Sequence, residues 1–313
     1  MDNKEANIFW DRIAERAEET ILALKENRKP AIIRYALHIT SRCNMNCRYC
    51  REVRGHINMP RALFIRLCYQ AGKDGIIHIT GGESLLVPWL EEEIYNYKDI
   101  TRFALNSNLL IMPKEQTLKS IFRCKTSLDD YDEKRWNEIV GGNFFKTVIS
   151  HIKQVTEIVK YTSICFTATH QNADRLFDFV QFCYSEFKKL FSISVSFYKG
   201  EDTNLMLLQE DIDKLYDASQ SMDEISRQLF IETHTRQGNY YPENIKIPCY
   251  LSLTERLFDE YGHEYYCSHL YRDKVSPPGN PGKDQHCVTG CNARFNKFNR
   301  LIYQELREIN RKS

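Results

Sequence analysis

The sequence has almost no net charge: 43 Lys and Arg against 42 Asp and Glu leave +1 over 313 residues. No broad basic field is available for a phosphate backbone, so nucleic acid is not an expected partner. No run approaches the roughly 20 uninterrupted apolar residues that a membrane span needs, so no membrane partner is expected either. The start, Met1-Asp2-Asn3-Lys4-Glu5, is polar and lacks the form of a signal peptide, which points to a cytoplasmic location. There is no internal repeat and no low-complexity tract. Aliphatic and aromatic residues recur along the whole chain, which excludes general disorder.

What the sequence does have is cysteine, 11 in all. Without a secretion signal a disulfide framework is the weaker explanation, and metal or redox chemistry in a reducing compartment is the stronger one. Cys43, Cys47 and Cys50 group early; Cys249, Cys267, Cys287 and Cys291 group late. Cys68, Cys124, Cys165 and Cys183 are scattered between, and most read as small buried hydrophobes.

Hydrophobic periodicity gives the frame. Ile13, Ala17, Ile21 and Leu24 recur at helical spacing over 7–28, and Pro30 stops that helix. Strands are expected at 32–39, 75–80, 101–107, 122–129, 162–169 and 191–198, with amphipathic stretches such as 61–71, 114–121, 143–159 and 173–187 between them. Strand and helix in alternation imply a parallel sheet, and the even spacing favours a barrel-like closure. The expected fold is α/β, a partial (β/α)6 TIM-like barrel over 31–235. An N-terminal helix, 1–30, precedes it, and a small cysteine-rich domain with a terminal helix, 236–313, follows. That last stretch has too few aliphatic residues for a conventional core and is expected to fold around something inorganic.

Cys43-Asn-Met-Asn-Cys47-Arg-Tyr49-Cys50 follows the first strand, at the rim where barrel active sites sit. Three thiolates can wrap a four-iron cluster and leave one iron open, which separates a reactive centre from a structural one. A zinc knot is the competing reading, although zinc prefers paired C-x2-C units that supply four ligands.

The loop resembles the C-x3-C-x2-C signature of the radical S-adenosylmethionine superfamily, with Tyr49 as the aromatic residue before the third cysteine. The resemblance implies a [4Fe-4S] cluster on Cys43, Cys47 and Cys50, with S-adenosylmethionine chelating the open iron. An electron from the reduced cluster would then generate a 5′-deoxyadenosyl radical. Gly81-Gly82-Glu83 after the second strand matches the family's element for the methionine amino group, although Ser84 stands where Pro is common. Asn106-Ser107-Asn108-Leu109 takes the place of a Thr-Asn-Gly-type turn without its glycine, and Asn tolerates left-handed geometry. Ser127-Leu128-Asp129 resembles a further cofactor-binding segment: Ser127 is the expected contact, and Asp129 is either another or a helix cap. Asn172 is a weaker candidate of the same kind.

Cys249-x12-Gly262-x4-Cys267 and Cys287-x3-Cys291 resemble the SPASM/Twitch extension of that superfamily, in its shorter, Twitch form. This implies an auxiliary [4Fe-4S] cluster ligated fully by Cys249, Cys267, Cys287 and Cys291, serving electron transfer or structure. A structural zinc would suit the same four thiolates.

Alternation along the strands suggests a polar lumen: Ser163, Cys165, Thr167 and Thr169 share one parity, as do Ser192, Ser194, Ser196 and Tyr198, Arg123, Lys125, Ser127 and Asp129, and His78 and Thr80. His78 reads as a hydrogen-bonded core histidine before a proton shuttle. Cys165 is the candidate catalytic residue, a hydrogen-atom donor to a substrate radical. The expected substrate is a polar small metabolite, such as a sugar, aminocyclitol or nucleotide-like compound, and a ribosomally made peptide is the alternative. Only 42 residues precede Cys43, so a built-in leader reader is not expected, while a separate one is permitted. An external electron donor such as flavodoxin or ferredoxin is implied. The reading from another class is a non-catalytic zinc-binding interaction protein.

Overall fold

A computed structural model describes residues 17–198, 200–220, 229–232, 250–265 and 293–312. The first helix is described over 17–25 (α1). Strand and helix then alternate: β1 Arg34–His38, α2 Arg61–Ala71, β2 Ile76–Thr80, α3 Leu90–Tyr97, β3 Arg102–Asn106, α4 Glu115–Ser120, β4 Ile121–Ser127, α5 Glu133–Val140, α6 Phe145–Ile158, β5 Tyr161–Ala168, α7 Leu176–Glu186, β6 Ser192–Phe197 and α8 Gln209–Gln220. All six expected strands are present. Three more follow, β7 Leu229–Glu232, β8 Glu255–Phe258 and β9 Glu264–Tyr265, and the long helix Ala293–Lys312 (α9) ends the described chain.

The strands form one sheet in the order β7-β6-β5-β4-β3-β2-β1-β8-β9. Every pairing is parallel except the β8–β9 hairpin. The sheet stays open, with β7 and β9 at its edges, as a partial barrel does. Strands β8 and β9 fall within the stretch expected to form a separate small domain, yet β8 joins the barrel sheet directly, Arg34 opposite Glu255 and Leu37 opposite Phe258.

Local sequence explains the elements. In α2, Phe64, Leu67, Cys68 and Ala71 are buried at i, i+3, i+4 and i+7, the stripe of a helix laid on a sheet. Asp132 caps α5 by accepting from the Arg135 N–H at 2.9 Å. Along β5, Ile164, Phe166 and Ala168 are fully buried under the helices, and the Phe166 ring lies 4.7 Å from that of Phe179 on α7. The other parity, Ser163, Cys165 and Thr167, therefore turns to the lumen. Ile77 and Ile79 against His78 and Thr80 repeat the pattern on β2. Cys68, Cys124 and Cys183 are buried within this apolar layer, and burial pushes the Cys68 and Cys124 thiols up to about 12.

A second, smaller core lies apart from the barrel. Ala17 of α1, Tyr250, and Phe298 and Ile302 of α9 are buried together, with Ile21 and Leu24 packed against them. Tyr250 N–H donates to Asn299 Oδ1 at 2.8 Å, and Lys25 pairs with Glu305 at 2.8 Å. The two ends of the described chain thus share one core. No helix among the described residues is long and apolar enough to cross a membrane.

Candidate active site

The cysteine loop leaves β1 at the C-terminal rim of the sheet and is fixed at several points. Asn46 N–H donates to Val140 O at 3.0 Å and Arg48 N–H to Ile139 O at 2.9 Å, so the last carbonyls of α5 hold the loop. Thr40 Oγ1 donates to Asn58 Oδ1 at 2.7 Å and Met59 N–H to Ile39 O at 2.8 Å, which closes the loop's far end. Cys43 and Cys47 are partly buried and Cys50 is exposed. Burial, then the charges of Asp129, Cys50 and Cys43, push the Cys47 thiol up to about 12, with Arg54 opposing. Three thiolates so close repel one another and need a multivalent cation to ionise together. Among the described residues no three ligating side chains converge closely enough to hold a single metal ion. A soft, three-thiolate donor set spread along a loop fits an iron–sulfur cluster, which Cys43, Cys47 and Cys50 would hold.

The Gly-Gly turn after β2 lies against that loop. Gly82 N–H donates to Thr40 O at 2.8 Å and Glu83 N–H to Arg42 O at 2.7 Å. Gly81 has φ +148, and a Cβ there would stand 2.7 Å from Thr40 O. A Cβ on Gly82 would stand 2.0 Å from Arg42 O and 3.2 Å from Cys43 Cβ. Only glycine lets the two backbones approach this closely.

Glu83, expected to accept from an ammonium, is fully buried and has other partners. Its carboxylate accepts from Leu85 N–H at 3.0 Å, Ser107 Oγ–H at 2.9 Å and Asn108 N–H at 2.7 Å. Burial raises its pKa while these bonds oppose the rise. The side chain ties the end of β2 to the turn after β3; its backbone, with Gly81 and Gly82, is what borders the cysteine loop.

In that turn the left-handed residue is Leu109, φ 54, and not an asparagine. Asn108 instead aims its amide at the cysteine loop, with Nδ2 2.8 Å from Asn44 Oδ1 and 3.9 Å from Cys43 Sγ.

Asp129 also departs from expectation. It is buried, and Oδ2 accepts from Tyr49 O–H at 2.5 Å while Oδ1 accepts from Thr167 N–H at 2.7 Å. Burial lifts its pKa to about 6 against those two bonds. Asp129 therefore clamps the Tyr49 ring to the rim of β4, with one bond on each carboxylate oxygen, and the helix cap is Asp132. Asn172 is a brace as well, bridging Thr169 N–H at 2.7 Å, Asp129 O at 3.0 Å and Thr167 O at 3.1 Å. Ser127 stays on the lumen face, partly exposed, level with Cys165 across the β4–β5 pairing. Cys165 Sγ lies 3.5 Å from Ser196 Oγ.

Deeper in the lumen, His78 is a hydrogen-bonded core histidine. Arg34 approaches Nδ1, and Nε2 meets Asn106 Oδ1 at 3.0 Å. Burial first, then the Arg34, Arg123 and Lys125 charges, hold His78 well below its usual pKa, so it is neutral. Sequence reading missed His38, which sits between Glu260 at 3.1 Å and Glu52 at 3.3 Å. Burial works against its charge, but the hydrogen bonds to Glu260 and Glu52 outweigh burial and carry its pKa up to about 9. It joins the cysteine loop to the β8–β9 hairpin. Its partner Glu260 lies 222 residues away, and only its place on the lumen parity of β1 marked it in the sequence.

Between positions 249 and 267 the chain forms the β8–β9 hairpin, with Gly262 at φ +90 beside the turn. Cys249, Cys267, Cys287 and Cys291 themselves lie outside the described residues.

No protein-family profile matches the chain. It is 24% identical over 169 residues to a probable GTP 3′,8-cyclase of Archaeoglobus fulgidus, covering 50% of this chain and 57% of that one. It is 33% identical over 122 residues to the GTP 3′,8-cyclase of Pelotomaculum thermopropionicum, covering 34% and 38%. The chain thus spans about half the length, or less, of these relatives. Among solved structures, Streptococcus suis SuiB bound to S-adenosylmethionine superposes with a TM-score of 0.61 at 17% identity, covering 98% of this chain and 74% of that one. The anSMEcpe enzyme with bound AdoMet and Cp18Cys peptide gives 0.59 at 15% identity, covering 88% and 84%. A three-cysteine loop after β1, a Gly-Gly turn after β2 pressed against it, and a sheet shared with these structures are the features by which the chain resembles radical S-adenosylmethionine enzymes.

Proposed function

We propose that this protein binds a [4Fe-4S] cluster on Cys43, Cys47 and Cys50 and cleaves S-adenosylmethionine reductively, to act on a polar substrate held in the barrel lumen. The observation that carries the reading is the contact of Gly81 and Gly82 with the start of the cysteine loop, which brings the turn's backbone against Thr40, Arg42 and Cys43. When bound, the cluster and S-adenosylmethionine supply a 5′-deoxyadenosyl radical that takes a hydrogen atom from an unactivated carbon.

The residues around it have separable tasks. The backbone of Gly81–Glu83 borders the methionine end, Asn108 orients the Cys43 side of the loop, and Ser127 offers a hydroxyl from the lumen wall. Tyr49, fixed by Asp129, forms a rigid wall beside the third cysteine. Cys165 can give its S–H hydrogen atom to a substrate carbon radical; the thiyl left behind then needs one electron and one proton. Cys249, Cys267, Cys287 and Cys291 would hold an auxiliary cluster, which would supply that electron and would itself be reduced by a flavodoxin or ferredoxin. A nucleotide-like or other polar small metabolite is supported by the relatives named GTP 3′,8-cyclase. The second reading, a peptide substrate, is favoured by the fold match to SuiB bound to its precursor peptide, TM-score 0.62.

The test is anaerobic reconstitution with iron and sulfide followed by an assay for 5′-deoxyadenosine under reductant. About eight irons per chain are expected. Replacing Cys43, Cys47 and Cys50 with Ala should halve that number and abolish the product. Zinc at both cysteine groups with no cleavage would replace this reading with a zinc-binding interaction protein.

A further inference from the structure

We infer that Lys125, in the mid-lumen, is the anchor for an anionic group, phosphate or carboxylate, of the substrate; this rests on the reading of the lumen as the substrate site. Among the described side chains, the lumen parity of the strands carries Arg34, His38, Arg102, Arg123 and Lys125 with one carboxylate, Glu255. Asp129 lies just beyond the end of β4 and is held by Tyr49 and Thr167. Arg34 takes the Glu255 carboxylate, at 2.7 Å, and turns its other nitrogen to His78. His78 is neutral and brings no compensation.

Lys125 is partly buried, and no described residue forms an ion pair or hydrogen bond with its ammonium. Its neighbours across the sheet are Asn106 on β3 and Ser163 on β5. Both are neutral and engaged elsewhere: Asn106 Oδ1 meets His78 at 3.0 Å, and Ser163 Oγ meets Ser192 Oγ at 3.0 Å. A cation withdrawn from bulk water is costly unless an anion joins it. The lumen therefore presents a preformed positive site one layer below Ser127. An anion seated there would leave the rest of the substrate at the level of Ser127 and Cys165, where the reacting carbon belongs. Electrostatic recognition of this kind selects strongly against neutral analogues, because they leave the ammonium unpaired.

The test titrates the reconstituted full-length protein with inorganic pyrophosphate and, separately, with glutarate, by calorimetry. At least one should bind, and Lys125→Met should weaken that binding about tenfold or more. Lys125→Arg, which keeps the charge, should restore most of it, and this rescue separates loss of charge from a folding defect. Pyrophosphate binding alone assigns a phosphate, glutarate alone a carboxylate. Equal affinity of wild type and Lys125→Met for both probes, or no binding of either to wild type, overturns the inference. The formation of 5′-deoxyadenosine by the wild-type protein is measured independently, so failure of the anion site and failure of the radical reading give different results.

Discussion

Two carboxylates beside the cysteine loop, Glu83 and Asp129, are buried and satisfied by the protein itself. Both stand in motifs legible in the sequence, but their partners, Ser107 and Asn108 for one and Tyr49 and Thr167 for the other, are fixed by chain crossings that no motif encodes. Glu83→Ala strands three donors in a buried turn, each worth about 1–3 kcal/mol unpaired. Urea denaturation should show a loss of at least about 3 kcal/mol, with Glu83→Gln recovering part of it. His38 carries a pH signature. Its folded pKa, about 9, lies above its ordinary 6.5, so the ion pairs with Glu260 and Glu52 stabilise fully below pH 6.5. That contribution falls as pH rises through about 9. The stability advantage of wild type over His38→Gln should therefore shrink between pH 7 and 10; an advantage that is constant across that range would contradict the assignment.

At the scale of elements, strand parity was readable because helix-facing residues must be apolar and lumen-facing residues need not be. Ser163, Cys165 and Thr167 alternate with Ile164, Phe166 and Ala168 as expected. The cysteine loop and the Gly-Gly turn were equally legible, since ligand spacing and a close backbone crossing constrain residue identity directly. Less legible were the short strands β8 and β9, whose four and two residues carry too little periodicity, and the use of α5's last carbonyls to hold the loop. The left-handed position at Leu109 was hidden as well, because a buried leucine is placed there by packing against a local cost of about 1–2 kcal/mol. The crossing of turn and loop makes a sharp prediction. Gly82→Ala sets a Cβ 2.0 Å from Arg42 O, a backbone atom that cannot swing aside. The variant should lose about 1–3 kcal/mol and bind markedly less iron at the first site. Wild-type iron content and melting temperature in that variant would show that the loop is not held as described.

At the scale of the whole molecule, the barrel sheet is continuous from β7 to β9, and the chain's two described ends meet in a core of their own. Phe298 is buried there with Ala17, so Phe298→Ala should cost about 3–5 kcal/mol. Hydrogen exchange should show the loss spreading to helix 17–25 while β3 and β4 keep their protection; uniform loss would mean the two cores unfold as one. The central claim concerns the three thiols and the iron they leave open. Its most direct measurement is the electron paramagnetic resonance spectrum of the reduced protein, with Cys249, Cys267, Cys287 and Cys291 replaced so that only the first site is filled. Adding S-adenosylmethionine should change the cluster signal, because the cofactor becomes a ligand of the open iron. A cluster signal that is unchanged by saturating S-adenosylmethionine would contradict the account.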